Sequence, residues 1–188
     1  MKKDWGFEVR KRRIVIAGVI ASFCFVALPT SNAASSPSPI PSATNPYGGG
    51  SVDSAGPNES ILTLTNGALV KKFTMQQLIA LHPTVISIYE PFVKKRQKFT
   101  VVSLSVLFKL VGIKSGSTVI TKALNDYVYS NKAVEFTSAL GYLAIKRNGV
   151  DIPYDQGGPI RIVYPDSSKW AKSLDPWNWS LNSISVKK

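Results

Sequence analysis

Hydrophobic and polar positions alternate in short runs over most of this chain, and turn-forming residues separate the runs. Ile61-Leu62-Thr63-Leu64-Thr65 has the two-residue period of a half-buried strand, and Asn66-Gly67 after it is a pair that tight hairpin turns favour. Leu69 to Phe73 returns as a second strand. At Thr74-Met75-Gln76-Gln77 a hydroxyl and an amide stand at capping-box spacing, so a short helix opens there, passes Leu78 and Leu81, and ends at Pro83. Val85 to Tyr89 and Phe99 to Val102 read as paired strands, with Lys94-Lys95-Arg96-Gln97-Lys98 as a solvated hairpin tip between them. Ser103 caps a second helix whose Leu104, Leu107, Phe108 and Val111 share one face, and Gly112 stops it. Thr118 to Leu124 and Tyr127 to Ser130 are strands again. Tyr142 to Lys146, the turn at Asn148-Gly149, Ile152-Pro153, and Ile160 to Tyr164 continue the sheet, and Trp179 to Val186 alternates as its last strand. The pattern predicts an α+β class: a β-rich mixed sheet with two or three short helices and no internal repeat.

The first sixty residues have a different pattern. Six basic residues between Met1 and Arg13 precede an uncharged apolar run from Ile14 to Leu28, and Ser31 and Ala33 then fit the small-x-small rule of signal peptidase. Residues 1–33 are therefore expected to be a signal peptide. An uncleaved anchor is the competing reading, but the run of fifteen residues falls short of the roughly 20 that span a bilayer. Either way the basic flank stays inside and the rest is exported, to periplasm, cell envelope or medium. Arg12-Arg13 followed by apolar residues also fits a twin-arginine route, although Lys11 and the strongly apolar run suit the ordinary one. Phe23 is too bulky for Cys24 to mark a lipoprotein. Residues 34–59, with Pro37, Pro39, Pro41, Pro46, Pro57 and Gly48-Gly49-Gly50, have little to bury and read as a disordered tether. Residues 60–188 suffice for one core.

Composition narrows the chemistry. Cys24 is the only cysteine, so a processed chain forms no disulfide and offers no thiolate. His82 is the only histidine, and in Leu81-His82-Pro83 it reads as a helix-end surface residue rather than the base of a triad. With nine scattered carboxylates after Ala33, no metal site is expected. Seventeen basic residues follow Ala33, leaving a surplus of +8 that favours anionic partners. The charges are dispersed and no aromatic interleaves the basic run, which argues against nucleic acid.

The order of elements resembles the molybdopterin-binding domain of the sulfite oxidase superfamily, in particular its small stand-alone exported members. Phe73-Thr74-Met75-Gln76-Gln77-Leu78 is similar to the family's opening helix, and Phe99-Thr100-Val101-Val102-Ser103-Leu104 with Leu107-Phe108-Lys109-Leu110-Val111-Gly112 to its "F-x-G-V-P-L…L-L…G" helix. Leu143-Ala144-Ile145, Asn148-Gly149, Ile152-Pro153 and Gln156-Gly157-Gly158-Pro159-Ile160-Arg161-Ile162-Val163-Tyr164-Pro165 are similar to "L-A…N-G…L-P…H-G-x-P-x-R-x-V-x-P". Trp177-Asn178-Trp179-Ser180-Leu181 with Ile184 and Val186 resembles the last strand. The resemblance covers nearly all of residues 60–188 and implies a sulfite-oxidase-type fold. It also implies a molybdenum-ligating cysteine in a segment like "C-V-E-x-W", where this chain has Ile88-Tyr89-Glu90-Pro91-Phe92. Ile88 thus stands at the thiolate position, and an alkyl group cannot replace a soft sulfur ligand. Gln156 stands for the family histidine and Val102 for the glycine of "F-x-G-V". Arg161 matches the family arginine, and with Gly157 and Gly158 it is the candidate holder of molybdopterin or another anion; a structural pair is the equal alternative for it. Lys169 and Lys172 are similar to family lysines, but at a different spacing.

Two readings of function follow. The first is a cofactor-free ligand-binding or interaction module, taking a small anionic ligand or a cell-envelope component, with a membrane contact only through an uncleaved N-terminal segment. The second is a molybdopterin-dependent oxidoreductase that holds its cofactor without a protein thiolate. A third idea makes Trp170, Trp177 and Trp179 a sugar platform, with packing as the competing role. The processing reading has a direct check: N-terminal sequencing of exported protein should give Ala34 or a neighbour, and an intact Met1 would establish the anchor instead.

Overall fold

The computed structural model describes residues 55–188. The basic N-terminus, the apolar run with Cys24, the cleavage site and most of the Pro/Gly/Ser segment lie outside the described residues. The first hairpin joins β1 (Leu62–Asn66) to β2 (Leu69–Phe73), with its turn one residue later than the sequence suggests. Gly67 takes the left-handed φ of +59°, while Asn66 stays in β1 opposite Leu69. The Asn66 side chain also caps a helix end, where its amide donates to the carbonyls of Val111 at 2.9 Å and Gly112 at 3.1 Å. Helix α1 (Met75–Ile79) begins as expected, with Thr74 and Gln77 capping each other reciprocally. His82 is exposed in the connection that follows.

Strands β3 (Thr84–Glu90) and β4 (Lys95–Ser103) form one continuous hairpin. Its register runs from Thr84 opposite Val101 to Glu90 opposite Lys95, so the turn is Pro91–Lys94. The basic run is thus strand rather than tip. Long basic side chains extend into water from a strand as readily as from a turn, so charge alone does not mark the tip. Helix α2 (Leu104–Leu110) presents Leu104, Leu107 and Phe108 to the core, with Ser103 capping. Then come β5 (Thr118–Ala123), β6 (Val128–Lys132), a third helix α3 (Ala133–Ser138) and β7 (Tyr142–Arg147). Asn148 and Gly149 both take positive φ in the turn after β7, as their sequence predicts. Ile152-Pro153 is not strand, contrary to expectation; it leads into a single 3-10 turn (Tyr154–Gln156), because proline donates nothing to a ladder. The last strands are β8 (Arg161–Val163) and β9 (Leu181–Val186). Trp179 precedes β9 instead of starting it, since Ser180 has φ of +49°.

Two sheets result, of order β2-β1-β9-β5-β6 and β3-β4-β7-β8. All pairs are antiparallel except β1 with β9. One core cluster draws on both, including Leu62, Leu64 and Ile184 from the first sheet and Ile88, Phe99 and Ile145 from the second. The sheets are joined where the backbone around β8 meets the start of β9: Ile162 N–H donates to Asn178 O and Leu181 N–H to Ile160 O, both at 2.9 Å. Asn178, fully buried, donates its side-chain amide to Thr121 of β5. No helix among the described residues is long and apolar enough to cross a membrane.

The chain already touches this domain at Ala55, which packs against the core. Glu59 accepts from the Tyr154 hydroxyl at 2.6 Å, and burial followed by that bond pushes the phenol up to about 12. On the opposite side a second clasp ties the β3–β4 hairpin to the loop after β8. Asp166 accepts from Tyr89 N–H at 2.8 Å and from Arg96 at 2.6 Å. The Tyr89 amide first, then Arg96, hold the Asp166 carboxyl below its ordinary 3.8. A carboxyl lowered by folding stabilises the fold above its unfolded value and loses that contribution as pH falls through the folded value. Melting temperature should therefore drop on acidification below about pH 4, and drop less steeply in Asp166→Asn. Parallel curves for the two proteins would show that the clasp contributes nothing.

Candidate functional site

The alternation of β3 puts Glu90 in phase with Ile86 and Ile88, on the inward side of a strand. A carboxylate there needs a cation or several donors, because an isolated charge out of water costs many kcal/mol. It meets Arg161, at the start of β8 on the other edge of the same four-stranded sheet. Arg161 Nη2 lies 2.7 Å from Glu90 Oε1, and both side chains have 0 % exposure. The guanidinium also lies 4.6 Å from the Trp179 ring centre and 5.8 Å from that of Phe99. Gln97, opposite Ile88 in the ladder, donates its side-chain amide to the other Glu90 oxygen. The result is an enclosed ionic cluster with aromatic walls.

The two glycines beside Arg161 are equally committed. Gly157 has φ of +82° and its N–H points to Tyr154 O, while Gly158 N–H donates to Pro153 O at 2.9 Å. A Cβ on Gly158 would collide with the Ile152 carbonyl, so no side chain fits. Arg161, Gly157 and Gly158 do come together as the sequence suggests. Their polar groups, however, turn into the protein's own network. Ile88, which the sequence resemblance sets at the thiolate position, is wholly enclosed in the core. Among the described residues no three His, Cys, Asp or Glu side chains gather as a metal site would require.

Outside this cluster lies a cleft of about 320 Å³ lined by Lys95, Arg96 and Gln97 from β4 and by Arg147, Asn148 and Gln156. The β4–β7 pairing opposes Phe99 and Arg147, which brings the basic run beside the end of β7. Arg147 donates to Gln156, which the sequence resemblance sets at the family histidine position. Lys98 N–H donates to Asn148 Oδ1 at 3.0 Å, fixing the turn that forms the rim. Two cations, Lys95 and Arg147, with three amides around one concavity suit a small anion, while Arg96 is paired with Asp166. Glu90, Gln97 and Arg147 were not singled out by residue type; the legible signal was a Glu in phase with the apolar positions of a strand, which demands a buried partner.

The remaining candidates lie elsewhere. Lys169 pairs with Glu135 of α3 and stands 5.3 Å from the Trp170 ring. Lys172 borders a separate cleft with Tyr89 and Asp166. Trp170 packs edge-on against Tyr129, Phe136 and Tyr164, and Trp177, 3 % exposed, donates its indole N–H to Trp170 O. Trp177 is a core residue and Trp170 packs half-buried against the core, so the three tryptophans do not form an open platform. Burial also holds the Tyr164 phenol far above its ordinary value.

Comparison with known proteins bears on the whole domain. Residues 89–181 match the family described as "Oxidoreductase molybdopterin binding domain". Among solved structures, the sulfane dehydrogenase SoxCD from Paracoccus pantotrophus superposes with a TM-score of 0.55 at 16 % identity, over 73 % of this chain and 40 % of that one. The chain thus spans two fifths of that protein's length, and the likeness is one of fold. A search of curated proteins gave no match. Family match and fold agree on the class: the chain carries a domain of the sulfite oxidase, molybdopterin-binding type.

The ionic cluster makes a quantitative expectation. Removing one partner strands the other charge in the core, so Arg161→Ala and Glu90→Ala should each lower stability by about 3–5 kcal/mol. Replacing both, as Glu90→Leu with Arg161→Met, should recover most of that loss. Denaturant melts of the four proteins test it, and additive losses in the double variant would mean that the pair does not act as a unit.

Proposed function

We propose that this protein is an exported, cofactor-free ligand-binding module built on the sulfite-oxidase-type scaffold, and that it takes a small anion at the basic cleft beside β4. The observation that carries this reading is the complete burial of Arg161 against Glu90. An arginine that held a pterin phosphate would direct its fork toward a pocket; here Arg161 is fully buried and its Nη2 is taken by an internal carboxylate. The amides of Gly157 and Gly158 donate to backbone carbonyls of the preceding turn, and Ile88 brings an alkyl group where the family has sulfur. These residues do not fit a molybdenum cofactor held in the family manner.

The cleft supplies what a binding module needs in its place. Lys95 and Arg147 provide charge, and Gln97, Asn148 and Gln156 provide directed amides, while the Arg96 guanidinium is paired with Asp166. The hairpin that carries the cations is held by the Asp166 clasp, which limits the ordering that a ligand must impose.

Protein recovered from its own export route should contain far less than one molybdenum per chain by elemental mass spectrometry, and should not turn over sulfite or sulfoxides. Titration calorimetry with inorganic phosphate should show saturable binding that Lys95→Ala weakens by about 1.5–3 kcal/mol, the worth of one charge-assisted bond. Near-equimolar molybdenum would overturn the cofactor-free reading. Phosphate binding indifferent to Lys95 would overturn the assignment of the cleft.

A further inference from the structure

A second concavity, of about 290 Å³, opens where three separate segments converge. The β3–β4 turn contributes Phe92, the β5–β6 turn contributes Asn125 and Tyr127, and the approach to β9 contributes Leu174, Asp175, Trp177 and Trp179. Its walls are aromatic, and several of them face water: Phe92 and Tyr127 are each 42 % exposed and Leu174 48 % exposed. Large apolar groups gathered around one hollow, rather than scattered singly, are the mark of a binding surface.

The walls are held in place by bonds of their own. The Tyr127 hydroxyl donates to the Asp175 carbonyl at 3.0 Å, which joins the β5–β6 turn to the approach of β9. Leu124 N–H, in the same turn, donates to Ser180 O at 2.9 Å. Trp177 is anchored through its indole N–H to Trp170 O. Phe92 meets Trp179 edge to face at 4.6 Å, and Arg161 stacks on Trp179. The hollow is therefore preformed, and little conformational freedom would be lost on filling it.

Charge selects the ligand. The chain as a whole carries +12, yet among the described residues no basic side chain lines this hollow, and its one charged lining residue is Asp175. Desolvation first, then the Asp175 charge, raise the Tyr127 phenol, which places that carboxylate's field within the aromatic wall. Aromatic faces attract cations through their quadrupole, and most strongly where water is thinned out. A carboxylate beside such faces repels anions and adds nothing for a neutral apolar body.

We infer that the hollow bounded by Phe92, Tyr127, Asp175, Trp177 and Trp179 is a binding site for a small organic cation, an ammonium or quaternary ammonium group on a compact apolar body. The inference is independent of the anion cleft beside β4, since the two share no lining residue. It needs no metal or redox cofactor.

The test uses choline chloride with 3,3-dimethylbutan-1-ol, which has the same shape without the charge, and methyl β-glucoside as a neutral sugar. Binding is read from quenching of tryptophan fluorescence and from ligand-observed NMR on the full chain. Choline should bind saturably, and the uncharged alcohol at least about tenfold more weakly. Asp175→Asn should weaken choline by about tenfold and leave the alcohol unchanged, while Tyr127→Ala should weaken both. Asp175 is exposed, so its variant should melt with the parent; Leu174→Ala, also on the rim, serves as a second probe of the same wall. Lys95→Ala should leave choline binding intact, which separates this site from the anion cleft. Equal affinity for choline and the alcohol, binding of the glucoside alone, or no saturable response to any probe would each overturn the assignment.

Discussion

A guanidinium and a carboxylate without solvent exposure face each other at 2.7 Å between the two edge strands of the smaller sheet, and much of the architecture is arranged around them. Each ion alone would lose several kcal/mol of hydration in the core, so each requires the other. Glu90 also accepts from Gln97, and Arg161 stacks on Trp179. Trp179 in turn lies on the backbone path that stitches the approach to β9 against the residues beside β8. The pair therefore ties together the hairpin, the glycine turn and the junction of the two sheets.

That constraint separates scaffold from chemistry. Arg161, which the sequence offers as a cofactor contact after the Gly-Gly-Pro turn, pairs with Glu90 in the protein's interior. Gly158 is confined by the Ile152 carbonyl, and Ile88 fills space within the core. Elements keep their order when packing and backbone geometry are retained, whatever becomes of a site built on them. Two concavities lie outside this packed interior, the cleft formed by Lys95, Arg147 and Gln156 and the aromatic hollow near Asp175.

The two concavities differ in a way that follows from their strands. The cleft beside β4 is built from the start of that strand, the end of β7 with its turn, and Gln156, where basic residues are easily solvated. The aromatic hollow is built from turns and from the irregular approach to β9. Two of its rings, Tyr127 and Trp177, are oriented by hydrogen bonds to main-chain carbonyls, and Phe92 and Trp179 by an edge-to-face contact. The basic cleft and the aromatic hollow, whose one charged lining residue is a carboxylate, share no lining residue.

Much of the fold was legible because local rules and tertiary packing agree. The Thr74–Gln77 capping box, the apolar face of Leu104, Leu107 and Phe108, and the Asn148-Gly149 turn need only nearest neighbours along the chain. Helix α3 was not legible in the same way: Lys132 gives no capping bond, and Val134 and Thr137 are poor helix formers, so contact with neighbouring elements decides it. The hairpin tip moved to Pro91–Lys94 because strand pairing, not charge, sets where a ladder ends. The sequence by itself determined that Arg161 follows a Gly-Gly-Pro turn and that Glu90 sits in phase with Ile86 and Ile88. Only the tertiary structure decided that these two groups, seventy-one positions apart, meet and satisfy each other, because a buried charge takes its role from the partner that folding brings to it.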